Sequence, residues 1–199
     1  MKRYYQTLNQ YLKFSRCKKK ERLRKKFYSI RKINYFNITP NYFNPLIKLI
    51  KKKNKKKIIN LSIYYPSSFE VNILKIFETN FSNKIKIFLP ALTGNDFMHF
   101  YQWNFQEVLQ INKFGMLEPL RQKNHIIPNI LLVPLLSYDN EKNRLGYGKG
   151  FYDRYLKKYL NNNNILTIGI AFSFQKYHKL PVFNNDIKLN YILTEKGIF

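Results

Sequence analysis

Glycines, cations and a carboxylate that could bind a ligand are gathered in Arg144-Leu-Gly-Tyr-Gly-Lys-Gly-Phe-Tyr-Asp-Arg154. Gly146, Gly148 and Gly150 alternate with larger residues. Glycine tolerates positive φ and lets backbone come close to a ligand. Arg144, Lys149 and Arg154 add positive charge, and Asp153 supplies a carboxylate of the kind that holds a divalent cation. Together these read as a cradle for nucleotide phosphates. The loop is not a Walker A motif, since no Gly-Lys is followed by Ser or Thr, and it is not G-x-G-x-x-G. On the residues alone, a plain tight turn competes with the cradle.

Such a loop needs elements to hold it. Ile130-Leu-Leu-Val133 and Leu135-Leu136 read as a buried strand ahead of it. Behind it, Phe151, Tyr155, Leu156, Tyr159 and Leu160 recur at helical spacing. A glycine loop between a strand and a helix N-terminus is a natural anion site, because unpaired N–H groups and the helix dipole both point at it. Strands are expected near 58–65, 85–89, 130–136, 165–171 and 190–194, and helices near 18–33, 69–81 and 150–160, with another from Pro40 and Pro45 to the lysine cluster. Leu23, Phe27 and Ile30 make the apolar stripe of the first helix, and Lys20 and Arg24, four apart, share one of its faces. Glu70-Val71-Asn72 opens the helix striped by Ile73, Leu74, Phe77 and Phe81. Lys86–Pro90 is expected to end at its proline, Phe97–Trp103 to form an edge strand or hairpin arm, and Phe114–Pro119 to form a rigid loop. Gly169 allows close approach within its strand. The alternation predicts an α/β fold: a single-domain, open, mainly parallel sheet with helices on both faces, a Rossmann-like three-layer sandwich. Ligands then bind beyond the carboxyl ends of the strands. Residues 1–17 are expected to be an extension and 18–199 the domain.

A chain of 199 residues with one cysteine, Cys17, has no disulfide framework and no cysteine-based zinc site, and it fits a reducing compartment. No apolar stretch reaches membrane-spanning length, and the basic N-terminus lacks the apolar region of a secretory signal. The net charge of +25 would suit nucleic acid, ATP or another polyanion. Lys, Asn, Ile, Tyr and Phe are inflated together, however, including Lys51–Lys57 and Asn161–Asn164, which points to drift across the whole surface more than to one basic face. His99, His125 and His178 show no metal-ligand spacing, and no Ser-His-Asp or Cys-His arrangement emerges. The chemistry therefore rests on handling phosphate.

Leu132-Val-Pro134, Tyr138-Asp139 and the glycine loop together closely resemble the signature of the 5-formyltetrahydrofolate cyclo-ligase family, also called methenyltetrahydrofolate synthetase. Lys20-Glu-Arg-Leu-Arg24 resembles the family's Lys-x-x-Leu-Arg motif, Phe114–Pro119 its Phe-Gly-Ile-x-Glu-Pro segment, and Leu180–Glu195 its C-terminal block. The resemblance implies a cytoplasmic, ATP- and Mg2+-dependent enzyme that cyclises 5-formyltetrahydrofolate, free or polyglutamylated, to 5,10-methenyltetrahydrofolate, working as a monomer away from membranes and nucleic acid. It implies ATP binding by Lys20, Arg24, Arg144, Leu145, Gly146, Tyr147, Gly148, Lys149, Gly150, Phe151 and Tyr152. Folate would be held by Ser67, Asn72 and the loop residues Tyr147 to Phe151, magnesium by Asp153 and Asp186, and catalysis would fall to Lys149 and Arg144. Asn72 stands where relatives have an acidic residue, Ala91 where they often have arginine, and Asn185 where they usually have histidine. Two rival readings follow: a degenerate relative that binds nucleotide without closing the ring, and a basic nucleic-acid-binding domain.

Overall fold

A computed structural model describes residues 2–53, 58–79, 84–94, 97–121, 124–160 and 163–199, with side chains from Lys13 onward. Helix α1 runs over Lys2–Asn34, longer than the 18–33 stripe predicts, because its basic and apolar residues continue without a Gly or Pro break. A 3-10 turn at Pro40–Phe43 leads into α2, Asn44–Lys53. Strands follow as β1 (Ile59–Ser62), β2 (Ile85–Thr93), β3 (Phe97–Gln102), β4 (Leu109–Ile111), β5 (Leu117–Pro119), β6 (Ile130–Pro134), β7 (Ser137–Tyr138) and β8 (Arg144–Leu145). Helix α3 (Phe151–Tyr159), β9 (Leu166–Ile170), β10 (Tyr191–Thr194) and β11 (Gly197–Ile198) complete the order.

The main sheet runs β11-β10-β9-β6-β1-β2-β3. The five inner strands are parallel, while β3 and β11 pair antiparallel at the edges. Period-two alternation divides the core between the two faces. Leu131 and Val133 turn towards Tyr155 and Leu156 of α3. Ile130 and Leu132 turn towards Leu46 and Ile50 of α2. The expected three layers are present. At Gly169 a Cβ would come within 2.7–2.8 Å of Leu135, Ile192 and Leu189, so the strand does use glycine for close packing.

The order in which strands are added reverses between β1 and β6, the switch point of the sheet and the place where such folds bind ligands. Helix α1 lies across the carboxyl ends there. Leu23 and Phe27 pack on Leu136, Leu145 and Leu180, as the apolar stripe requires.

Three local expectations are corrected. The helix expected at 69–81 is a 3-10 helix at Ile73–Glu78, while Phe81 falls outside the described residues. Ser68 and Phe69 both hold positive φ, which no α-helix tolerates, and Ile73 and Ile76 are buried three apart as a 3-10 turn requires. Strand β2 runs through Pro90 to Thr93. Its pairing with β1 ends at Ser62–Phe88, so Pro90 has a strand neighbour on one side only. Phe114–Pro119 is the turn and second arm of the β4–β5 hairpin, with Gly115 at positive φ.

Candidate active site

The glycine loop does not leave β6 directly. It leaves a small hairpin, β7–β8, in which Tyr138 pairs with Arg144. Asp139 shapes the turn. It is buried, and its carboxylate accepts from the N–H groups of Glu141, Asn143 and Leu180 and from Asn143 Nδ2, all at 3.0–3.1 Å. Beyond Leu145 the loop needs glycine at two positions. Gly148 sits at φ +100° and Gly150 at +67°. A Cβ on Gly148 would also stand 3.2 Å from the guanidinium carbon of Arg24. Gly150 begins α3 with no side-chain cap, which leaves the helix's first-turn N–H groups to a ligand or water.

Helix α1 supplies cations from the same face, as four-residue spacing requires. Arg24 Nε donates to the Gly146 carbonyl at 3.0 Å. Lys20 is buried and pairs with Asp186 at 2.5 Å, its ammonium 4.3 Å from the Phe183 ring. Arg144 is turned inward: it donates to the Ile187 carbonyl at 2.5 Å and pairs with Asp153 Oδ1 at 2.6 Å. The same oxygen accepts from Ile187 N at 3.1 Å, which sets Asp153 beside the segment carrying Asp186. Asp186 Oδ2 also accepts from Phe183 N at 2.6 Å.

Lys149 is exposed, with its ammonium 5.1 Å from the Phe114 ring. Phe114 lies 5.9 Å from Phe151, so the β4–β5 hairpin reaches the loop. Tyr147 donates its hydroxyl to Glu70 Oε1, and Glu70 Oε2 accepts from Ser67 N at 2.9 Å. Burial pushes the Glu70 carboxyl above its ordinary range, although the bonds from Tyr147 and Ser67 and the charge of Arg31 pull the other way. Burial also raises the Tyr147 hydroxyl well above its usual value, with Glu70 adding to the effect.

Most expected site residues therefore converge at the switch point: Lys20, Arg24, the loop from Leu145 to Phe151, Ser67, Asp153 and Asp186. Asn72 is engaged locally, its Oδ1 accepting from Leu74 N at 3.2 Å as the cap of the 3-10 helix. Tyr152 is packed inward, its hydroxyl buried with no partner and its pKa raised by that burial. Glu70 stands in the Glu-Val pair that the family resemblance puts at the edge of the folate site, while Arg31 and the hub role of Asp139 were not legible as site features. Asp139 lay inside a recognisable motif, but a lone Arg carries no spacing signal. His99 and His125 do come together, their rings 4.0 Å apart, yet no group of three metal-ligating side chains exists among the described residues.

The sequence profile of the 5-formyltetrahydrofolate cyclo-ligase family matches residues 9–195 of this chain. The chain belongs to that family. Among cyclo-ligases it is 27% identical to the Haemophilus influenzae 5-formyltetrahydrofolate cyclo-ligase over 154 residues, covering 74% of this chain and 80% of that one. It is 34% identical to the Mycoplasma genitalium 5-formyltetrahydrofolate cyclo-ligase over 133 residues, covering 65% and 66%. The fold agrees with the solved structure of Aquifex aeolicus 5,10-methenyltetrahydrofolate synthetase, with a TM-score of 0.68 at 28% identity over 90% of this chain and 91% of that one. The Mycoplasma pneumoniae 5,10-methenyltetrahydrofolate synthetase gives 0.63 at 26% identity over 88% and 98%. In this family member Ala91 is buried in β2 opposite His99, and Asn185 Oδ1 accepts from Lys157 at 3.2 Å. No helix among the described residues is long and apolar enough to cross a membrane.

Proposed function

We propose that the chain is an ATP- and magnesium-dependent cyclo-ligase that converts 5-formyltetrahydrofolate to 5,10-methenyltetrahydrofolate, releasing ADP and phosphate. One observation carries this reading beyond family membership: Arg24 of α1 is seated on the glycine loop at the switch point, with the first turn of α3 behind it. That arrangement suits a polyphosphate at one end of a crevice whose other wall is the Ser67–Glu70 turn.

The formyl oxygen is a poor leaving group as it stands. It attacks the γ-phosphorus of ATP, the bond to the β-bridging oxygen breaks, and ADP departs. The carbon is then held as an imidate phosphate. N10 of the folate attacks that carbon and gives up its proton, the five-membered ring closes, and phosphate leaves with the former formyl oxygen. The protein's contribution is positioning and charge neutralisation. Lys20 and Arg24 approach the phosphates from α1, and the backbone from Gly146 to Gly150 cradles them. Lys149 stabilises the charge that moves with the phosphoryl group. Arg144 acts through Asp153, which it holds in place. Tyr147 and Phe151 flank the folate.

The oxygen donors of Asp153 and Asp186 suit magnesium, which takes one or two carboxylates and keeps several waters. The protein bonds of Asp153 gather on Oδ1 and those of Asp186 on Oδ2, so each offers its other oxygen. When bound, the ion neutralises charge on the phosphates. The basic surface suits a polyglutamate tail, and the single cysteine, Cys17, fits a reducing compartment such as the cytoplasm.

The test is the absorbance of the methenyl product from protein, 5-formyltetrahydrofolate, ATP and magnesium, each omitted in turn. A rise that needs all of them is expected. Folded protein that binds ATP without producing the chromophore would overturn the reading.

A further inference from the structure

The β4–β5 hairpin is built inside out. Residues paired across it alternate between its two faces. Gln110 pairs with Glu118, and this face turns towards the domain. There the buried Glu118 carboxylate accepts from Leu92 N at 3.0 Å and from Gln110 Nε2 and Asn112 Nδ2 at 3.2 Å. Ile111 pairs with Leu117 on the other face, and both are exposed. A sheet with one wet face ordinarily turns its apolar side chains inward and its polar ones to water. Around this hairpin the apolar ones look outward: Val108 and Ile111 are each 74% exposed, Leu120 53% and Phe105 52%, with Met116 joining Leu117 among the exposed. Single exposed apolar residues are ordinary, but a group of them on one hairpin marks a surface that another molecule covers. Phe114 stands apart from the group, since it leans on Phe151 at the glycine loop.

Charge says what covers it. From Asn104 to Leu120 only Glu118 and Pro119 are fully buried, so the stretch is largely surface. Yet of the chain's 36 lysines and arginines it holds one, Lys113, against Glu107 and Glu118. Next to it, Arg121 is drawn back to Glu118 at 3.7 Å. The lysine drift that runs along the rest of the chain stops here. Two copies of a chain with a net charge of +25 repel wherever their basic surfaces meet, and an apolar patch poor in cations is where they can touch. We propose that the outer face of the β4–β5 hairpin is a homodimer interface, in which two copies pack these faces together about a two-fold axis, in place of the monomer that the family resemblance implies. A two-fold contact sets the same patch on both sides, and an apolar face complements itself. An acidic partner would find its cations elsewhere on the chain, so this face does not suit one.

Sedimentation velocity of the full chain reads its mass directly and needs no substrate, so the outcome is independent of the catalytic reading. One hairpin face is smaller than a standard interface, so a dissociation constant of roughly micromolar order is expected. The mass should rise with concentration from 24.2 kDa towards twice that value. Because salt screens the repulsion between two basic copies, the dimer should tighten as salt is raised. Ile111→Lys and Val108→Lys each put a charge at an exposed position. Each should raise the dimer Kd at least about tenfold while leaving the melting temperature in place, as surface substitutions do. A mass that stays at 24.2 kDa up to roughly millimolar concentration overturns the proposal. So does a dimer whose Kd neither substitution changes, or one that salt dissociates, since either is held by another surface.

Discussion

Arg24 and Gly146 lie 122 residues apart in the chain, yet the Nε of one donates to the carbonyl of the other at 3.0 Å. This bond fastens α1 to the glycine loop and fixes the guanidinium against Gly148, where a Cβ would meet it at 3.2 Å. An arginine held through Nε keeps its two terminal nitrogens for a phosphate. The pairing explains why a motif near the start of the chain and a loop far downstream form one site.

Arg24→Ala should weaken ATP binding by roughly 10- to 100-fold, the range set by losing a charge-assisted contact. Arg24→Lys should recover only part of it, because an ammonium cannot bond the Gly146 carbonyl and present a fork to phosphate together. Equilibrium binding of ATP to both variants checks this, and full recovery by lysine would show that charge alone matters.

Lys149→Ala should lower the catalytic rate by roughly 10²–10³-fold, the scale of removing one group that stabilises transition-state charge. Lys149 is exposed, its side chain meets the Phe114 ring, and the bond it accepts from Arg154 Nη1 is to its backbone carbonyl, which alanine keeps, so the melting temperature should not move. Turnover within a few-fold of the unaltered protein would remove Lys149 from the mechanism.

Asp139→Asn should destabilise the fold by roughly 2–3 kcal/mol, because the buried carboxylate has only donors around it. Asparagine preserves one accepting oxygen but turns an NH2 group on Asn143 Nδ2 and Leu180 N, which now share Oδ2. Urea unfolding measures the loss. Since Asp139 shapes the hairpin from which the glycine loop leaves, ATP affinity should fall with it.

Glu70 makes stability depend on pH in a definite direction. Its folded-state carboxyl is raised above the ordinary 4.5, so the folded protein binds more protons than the unfolded one just above that value. Its contribution to stability is therefore largest below 4.5 and declines as pH rises through the raised value. Glu70→Gln cannot titrate. The stability of the unaltered protein relative to Glu70→Gln should thus decline from about pH 4.5 upward, and then level off. Urea midpoints taken at intervals across that range for both proteins give the curve, and a difference independent of pH would show that the carboxyl is not shifted.

The strands of the sheet were legible in local pattern. Apolar runs at 58–65, 130–136 and 165–171 had few alternatives to buried parallel strands, and the periodic face after Gly150 had none to a helix. Local pattern also marked the glycine loop, whose Gly148 and Gly150 occupy conformations that glycine adopts without strain. Local rules could reach these features because each is decided by neighbours in sequence. Where single polar side chains end up depends on the assembled fold. Arg144 read as a phosphate ligand, but it is paired inward with Asp153, since a loop arginine is placed by whichever carboxylate the fold brings near. Asn72 read as a folate contact and caps a 3-10 turn, because positive φ at Ser68 and Phe69 delays the helix it was expected to open. Arg31 gave no signal, and the Glu-Val pair that marked Glu70 did not reveal its partners, for a lone charge shows no period and its partners lie across the crevice. The pairing of Glu70 with Tyr147 spans 77 residues, and only burial at the junction of β1 and β6 makes it favourable.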